Sequence, residues 1–123
     1  MIKVLLYIWI GGGLGSICRY LVQFYISRYL TVTFPAGTFL VNISGCFLIG
    51  ILYGIAERQG WMNIEWRLFL ITGFCGGYTT FSSFSYEGIS LLRQGNYLYF
   101  ALYILFSVIL GLLATFWGST LTK

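Results

Sequence analysis

Gly73-Phe74-Cys75-Gly76-Gly77-Tyr78-Thr79-Thr80-Phe81-Ser82-Ser83-Phe84 decides how this chain is read. It lies in an uncharged run, residues 68–86, which as a helix is long enough to cross the hydrocarbon core of a bilayer. Yet the run holds glycines, then threonines and serines interleaved with two phenylalanines. Hydrocarbon offers no water to a freed amide or carbonyl. Irregular backbone at membrane depth therefore persists only where it is packed in protein or lines a polar path. A glycine-rich break followed by a helix of hydroxyls and rings is the pattern of a permeation or ion-binding element.

The flanking sequence places that element in a membrane. Of 123 residues, 59% are hydrophobic and only 8% are charged. A soluble domain carries about a quarter charged residues. Residues 29–56 and 94–122 are also free of charge, and 4–27 is interrupted only by Arg19. The expected fold is an all-α membrane protein with four transmembrane helices, at about 4–27, 35–56, 66–92 and 97–118, in a single domain over 1–123. Pro35 suits the first turn of the second helix. The third helix is expected to break between Gly73 and Thr79. The first segment has some features of a signal peptide, but its apolar run continues past Arg19, so it is read as a retained helix.

Net charge is +4, and most charged residues fall at predicted membrane edges. That distribution anchors topology and excludes a nucleic-acid surface. With four spans, Lys3, Arg58, Arg67 and Lys123 share one side and Arg28 and Arg93 the other. This bias points the termini to the cytoplasm and is small enough to allow insertion both ways. Trp9, Trp61, Trp66, Trp117, Tyr29, Tyr97 and Tyr99 read as interfacial belts. Cys18, Cys46 and Cys75 stand singly, without metal-ligand spacing, and the chain has no histidine. The commonest general base is thus missing, no nucleophile–base pairing occurs, and no phosphate-binding glycine loop is present. An enzyme is therefore the least favoured reading, and no nucleotide site is visible.

Gly11 with Gly15, Gly50 with Gly54 and Gly73 with Gly77 have the spacing that lets helix backbones approach closely in lipid. Arg19 is a cation within a span, where a guanidinium costs several kcal/mol. It reads either as a snorkelling side chain or as a group that attracts anions or fixes a helix break. Glu87, near the end of the third helix, is the one intramembrane acid. It would lie in a water-filled vestibule or pair with a base. Thr38 and Asn42 share a face of the second helix, and Tyr103, Ser107 and Gly111 share a face of the fourth. Phe81 and Phe84 are neighbours one turn apart. Three helices thus each offer a polar or ring-edge stripe. Hydroxyls and amides donate hydrogen bonds to anions, and ring edges carry the positive end of the aromatic quadrupole. Such a path favours an anion over a cation. Four short helices enclose a lumen poorly, so a homo-oligomer is expected, with a dimer the commonest closed form.

Gly12-Gly13-Leu14-Gly15 leading to Arg19-Tyr20, Gly37-Thr38 with Val41-Asn42 and Gly45-Cys46-Phe47, and the opening stretch resemble, in order and spacing, the Fluc (CrcB) fluoride channels over essentially the whole chain. The resemblance implies an antiparallel, dual-topology homodimer in the cell membrane with two fluoride pores along its interface. It implies that Phe81 and Phe84 are ring-edge ligands and Asn42 a pore donor. Thr38, Ser83, Tyr103 and Ser107 would belong to the polar track, and Arg19 would stand near the pore entrance. It implies a structural sodium ion on the backbone carbonyls of Gly76 and Thr79 from both subunits. Ser83 stands where the family often has threonine, and Gly111 where some members have serine. The implied function is passive export of fluoride, which relieves its toxicity; the partners are fluoride, a second copy and the bilayer, with neither nucleic acid nor nucleotide.

Two other readings make distinct demands. A small proton-coupled exporter needs a membrane carboxylate in its first helix, where this chain has Arg19 and no acid. A non-transporting assembly subunit would tolerate change at Asn42 and Phe84 if packing volume were kept.

Overall fold

The uncharged runs become helices because a bilayer leaves each backbone group only its own chain to bond with. A computed structural model describes residues 1–60 and 62–122. The belt role of Trp61 and the terminal charge of Lys123 lie outside the described residues. Helix α1 spans Ile2–Tyr29, α2 spans Ala36–Arg58 and α6 spans Tyr97–Leu121. Among the described residues, these three are long and apolar enough to cross a membrane. Helix α1 extends the expected span at both ends, α6 extends it at its C-terminal end, and α2 starts just after Pro35 and ends beyond Ala56.

The remaining apolar segment is built in pieces. Helix α3 (Ile64–Arg67) starts at Asn63, whose side chain accepts the Trp66 N–H at 3.0 Å. A π-helix (Leu68–Cys75) and a short α4 (Gly76–Tyr78) continue it. Thr79 and Thr80 are extended, with ψ of 158° and 116°, and α5 (Phe81–Arg93) follows. The glycine stretch, where irregular backbone was expected, is therefore helical, and the interruption falls at Thr79–Thr80. The glycines serve close packing instead. A Cβ on Gly77 would strike the backbone of Gly12, and one on Gly15 the backbone of Phe74 and Tyr78. Helix α1 and the segment from the π-helix to α4 thus touch backbone to backbone.

Helices α2 and α6 use the same device. A Cβ on Gly50 would strike the Thr115 carbonyl, and one on Gly118 the Phe47 carbonyl. The Thr115 hydroxyl reinforces this seam by donating to Cys46 O at 3.1 Å. The three small-residue pairs of the sequence are accordingly used within one chain.

Pro35 does not sit in the first turn of α2. At φ −76° and ψ 72° it centres an inverse γ-turn, closed by Ala36 N–H donating to Phe34 O at 2.8 Å. Helix α5 ends in a Schellman turn. Asn96 N–H donates to Leu91 O and Gly95 N–H to Leu92 O, and Gly95 takes the positive φ of 78° that this turn requires.

Lys3 and Glu65 approach to 3.7 Å, joining the starts of α1 and α3 at one end of the bundle. At that end Arg58 donates to Ser119 O and Arg67 to Ala56 O, so both cations cover carbonyls. Arg28 and Arg93 occupy the last turns of α1 and α5. The outer surface carries many large apolar side chains, such as Trp9, Leu112 and Phe116, as suits lipid.

Candidate functional site

The interruption at Thr79–Thr80 is held by side chains. Asn42 on α2 grips it from both directions: its Oδ1 accepts the Thr80 N–H at 2.9 Å, and its Nδ2 donates to Thr80 O at 3.0 Å. The Thr80 hydroxyl caps α5 by accepting the Ser83 N–H at 3.1 Å. On the other side, Arg19 on α1 donates through Nε to Gly77 O at 3.0 Å. Arg19 is half-buried and fixes the segment just before the break. Of its two sequence readings, contact with the break is the one observed.

These bonds have a consequence for two carbonyls. In an unbroken helix the Thr80 N–H would go to Gly76 O and the Ser83 N–H to Thr79 O. Both donors are diverted, to Asn42 and to the Thr80 hydroxyl. Gly76 O and Thr79 O thus lose their usual helical donors. Oxygens of this kind suit a hard cation, so the residues present fit a sodium ion. Among the described residues no cluster of acids, cysteines or histidines offers an alternative metal site.

Below the break lies a cavity of about 320 Å³ lined by Asn42, Thr79, Phe81, Phe84 and Ser107. The rings of Phe81 and Phe84 are 5.7 Å apart, centroid to centroid. Phe81 is 79% exposed in the single chain, whereas Phe84 is half-buried against Tyr103 at 5.1 Å. Tyr103 is wholly buried, and Phe34 meets its ring edge-on at 5.3 Å.

A larger groove, about 830 Å³, opens toward the Arg28–Arg93 end and includes Gln23, Thr38, Ser83 and Glu87 in its wall. Thr38 is buried, accepts a hydrogen bond from Gln23 Nε2 at 3.0 Å, and neighbours both Glu87 and Tyr103. Tyr103 therefore stands between groove and cavity, touching Phe84 on one side and Thr38 on the other.

Three buried polar atoms have no hydrogen-bond partner among the described residues: Glu87 Oε1, Tyr103 Oη and Ser107 Oγ. A buried unsatisfied polar group costs roughly 1–3 kcal/mol and calls for a missing partner. Tyr103 and Ser107 are one turn apart on one face of α6, and both carry a hydroxyl without a partner among the described residues. Gly111, a turn further, packs against Cys46 and Ile43 and adds no polar group.

The structure thus brings Thr38, Asn42, Ser83, Phe84, Tyr103 and Ser107 together along α2, α5 and α6. Phe81 points largely outward, and Arg19 stands across the break. Gln23 and the clamping role of Thr80 were not singled out in the sequence. Their signals were the four-residue spacing of Arg19 and Gln23 on one face of α1, and the Thr80-x-x-Ser83 capping spacing. Asn42→Ala removes both bonds to Thr80. It should lower stability in detergent by roughly 1–3 kcal/mol, read as a fall in the thermal midpoint. Asn42→Asp keeps an acceptor for the Thr80 N–H and should lose less; equal losses would count against the two-way clamp.

The family model described as "CrcB-like protein, Camphor Resistance (CrcB)" matches residues 6–119. A protein of Flavobacterium psychrophilum is 50% identical over 121 residues, covering 98% of each chain. One of Azobacteroides pseudotrichonymphae is 46% identical over 123 residues, covering 100% of this chain and 98% of the relative. One of Leptospira interrogans is 44% identical over 121 residues, with 98% and 95% covered. Each of the three is named a fluoride-specific ion channel FluC.

Proposed function

The chain belongs to the CrcB family, and from that premise we propose that it is a fluoride-selective channel that lets the anion leave the cell passively. It is a multi-pass membrane protein and not an enzyme. The observation that carries the channel reading is the pair of buried, partnerless hydroxyls on Tyr103 and Ser107, set beside Phe84. Fluoride is small, hard and strongly hydrated. It needs close donors to replace its water, and selectivity follows from their geometry. Tyr103 and Ser107 supply O–H donors, Asn42 borders the cavity together with Ser107 and has a second amide N–H beyond the one given to Thr80, and Phe84 supplies a ring edge.

The active unit in this reading is an antiparallel homodimer with two pores along its interface and the broken segment as a third membrane crossing. The exposure of Phe81, Tyr86 and Ile89 on α5 supports it, because one chain leaves that face without protein cover. Sodium would rest at the paired breaks on Gly76 and Thr79 carbonyls and supply positive charge that holds the two chains together. Thr38 and Ser83 continue the polar track toward the groove. Arg19 belongs to this path by fixing the break.

The test is efflux from liposomes with the voltage clamped by a potassium ionophore, read with fluoride and chloride electrodes. Fast fluoride release without chloride release is expected. Exchanging all sodium for N-methyl-D-glucamine should slow fluoride release and weaken dimer association. Undiminished release after exhaustive exchange would remove sodium from the reading, and no fluoride release at all would remove the channel.

A further inference from the structure

From the hydrogen bond between Gln23 and Thr38, we infer that Gln23 is a positioning residue for the anion path: by donating to the Thr38 oxygen it leaves the single Thr38 proton to be donated into the groove. The inference rests on the channel reading and adds a residue of α1 to it. Gln23 Nε2 donates to Thr38 Oγ1 at 3.0 Å. An amide N–H has nothing to accept, so the Thr38 proton is not used in that bond. A hydroxyl that accepts on one side donates on another. Thr38 is only 3% exposed, and it shares the wall of the groove with Ser83 and Glu87. The proton therefore turns away from α1 and into the groove.

Without Gln23 the hydroxyl rotates freely, and an arriving anion must wait for the right rotamer or share the site with a water. Gln23 lines the same groove and is half-buried, so its amide is held against Thr38 and not lost to bulk solvent. Gly37 fits this contact: a Cβ there would lie 3.3 Å from the Gln23 Cα, so α1 and α2 run close where the amide crosses.

The experiment compares the unsubstituted protein, Gln23→Leu, Thr38→Val and the double variant in the liposome assay, after checking that each elutes alike in detergent. Gln23→Leu should slow fluoride release about fivefold, the loss expected for one hydrogen bond. In the Thr38→Val background it should cause no further loss, because Gln23 acts through that hydroxyl. A merely structural role would slow release equally in both backgrounds and overturn the inference. So would unchanged release in Gln23→Leu. If Gln23→Leu elutes abnormally, Gln23→Met, unbranched and of similar length, takes its place with the same outcomes. If the unsubstituted protein releases no fluoride, the channel reading fails and this inference falls with it. Fast release by the unsubstituted protein with no effect at Gln23 overturns the inference alone.

Discussion

Phe84→Ile is expected to slow fluoride efflux from liposomes at least about a hundredfold, equivalent to ~2.7 kcal/mol, with no change in assembly. Isoleucine keeps apolar bulk but has no quadrupole, so the cavity loses the positive edge of the ring. Phe84 packs on Tyr103 at 5.1 Å and borders the cavity of Asn42 and Ser107. An ion there has shed water, and it has few groups to replace the lost contact. The effect should therefore fall on conduction. Because an aliphatic side chain still fills the space, the protein should elute as before. Phe81→Ile tests the ring that faces outward in one chain, so its effect depends on the second copy. Unchanged efflux in both variants would sink the ring-edge assignment, and a collapse of assembly in Phe84→Ile would make the ring a packing element.

Gly15→Val should give no monodisperse protein at all. A Cβ at Gly15 would collide with the Phe74 carbonyl oxygen, and would lie 2.9 Å from Tyr78 N and 3.0 Å from the Phe74 carbonyl carbon. All three neighbours are backbone, so no rotamer change can make room. Overpacking of well-packed sites costs about 1–3 kcal/mol even where side chains can shift, and here two main chains would have to part. Net stabilities lie in the range of about 5–15 kcal/mol. Gly13→Val is the control on the same helix, because a Cβ there meets nothing within 4 Å. Normal size-exclusion behaviour of Gly13→Val beside aggregation of Gly15→Val is the expected contrast. Normal behaviour of both would show that α1 does not lie against the π-helix in this way.

The helices were legible because uncharged length is a coarse signal that a bilayer enforces. The glycine pairs were legible as close-packing positions. The location of the break was not. A glycine run permits either irregular backbone or close approach, and only the partner glycines on α1 select the second. The break then moves to Thr79–Thr80, where a distant Asn42 supplies the bonds that the helix gives up. Pro35 was misplaced by one position for a similar reason: its fixed φ suits a helix start and an inverse γ-turn equally, and ψ is set by the chain around it. Gln23 escaped notice because its four-residue spacing from Arg19 marks a shared face of α1 and names no partner. Its meaning comes from Thr38, fifteen positions further along.

The two-way clamp of Asn42 on Thr80 makes one side chain the splint of a severed rod. Force applied along the Ile64–Tyr78 piece cannot pass to α5 through helical bonds, since these stop at Thr79. It passes through α2 by way of the Asn42 amide. The piece before the break lies on α1 and also touches α2, and α5 lies on α6 and α2. The Asn42 amide is thus one of several stitches between the two sides, with the Gln23–Thr38 and Ser44–Tyr78 bonds beside it, and it is the one that holds the severed ends of the rod in line.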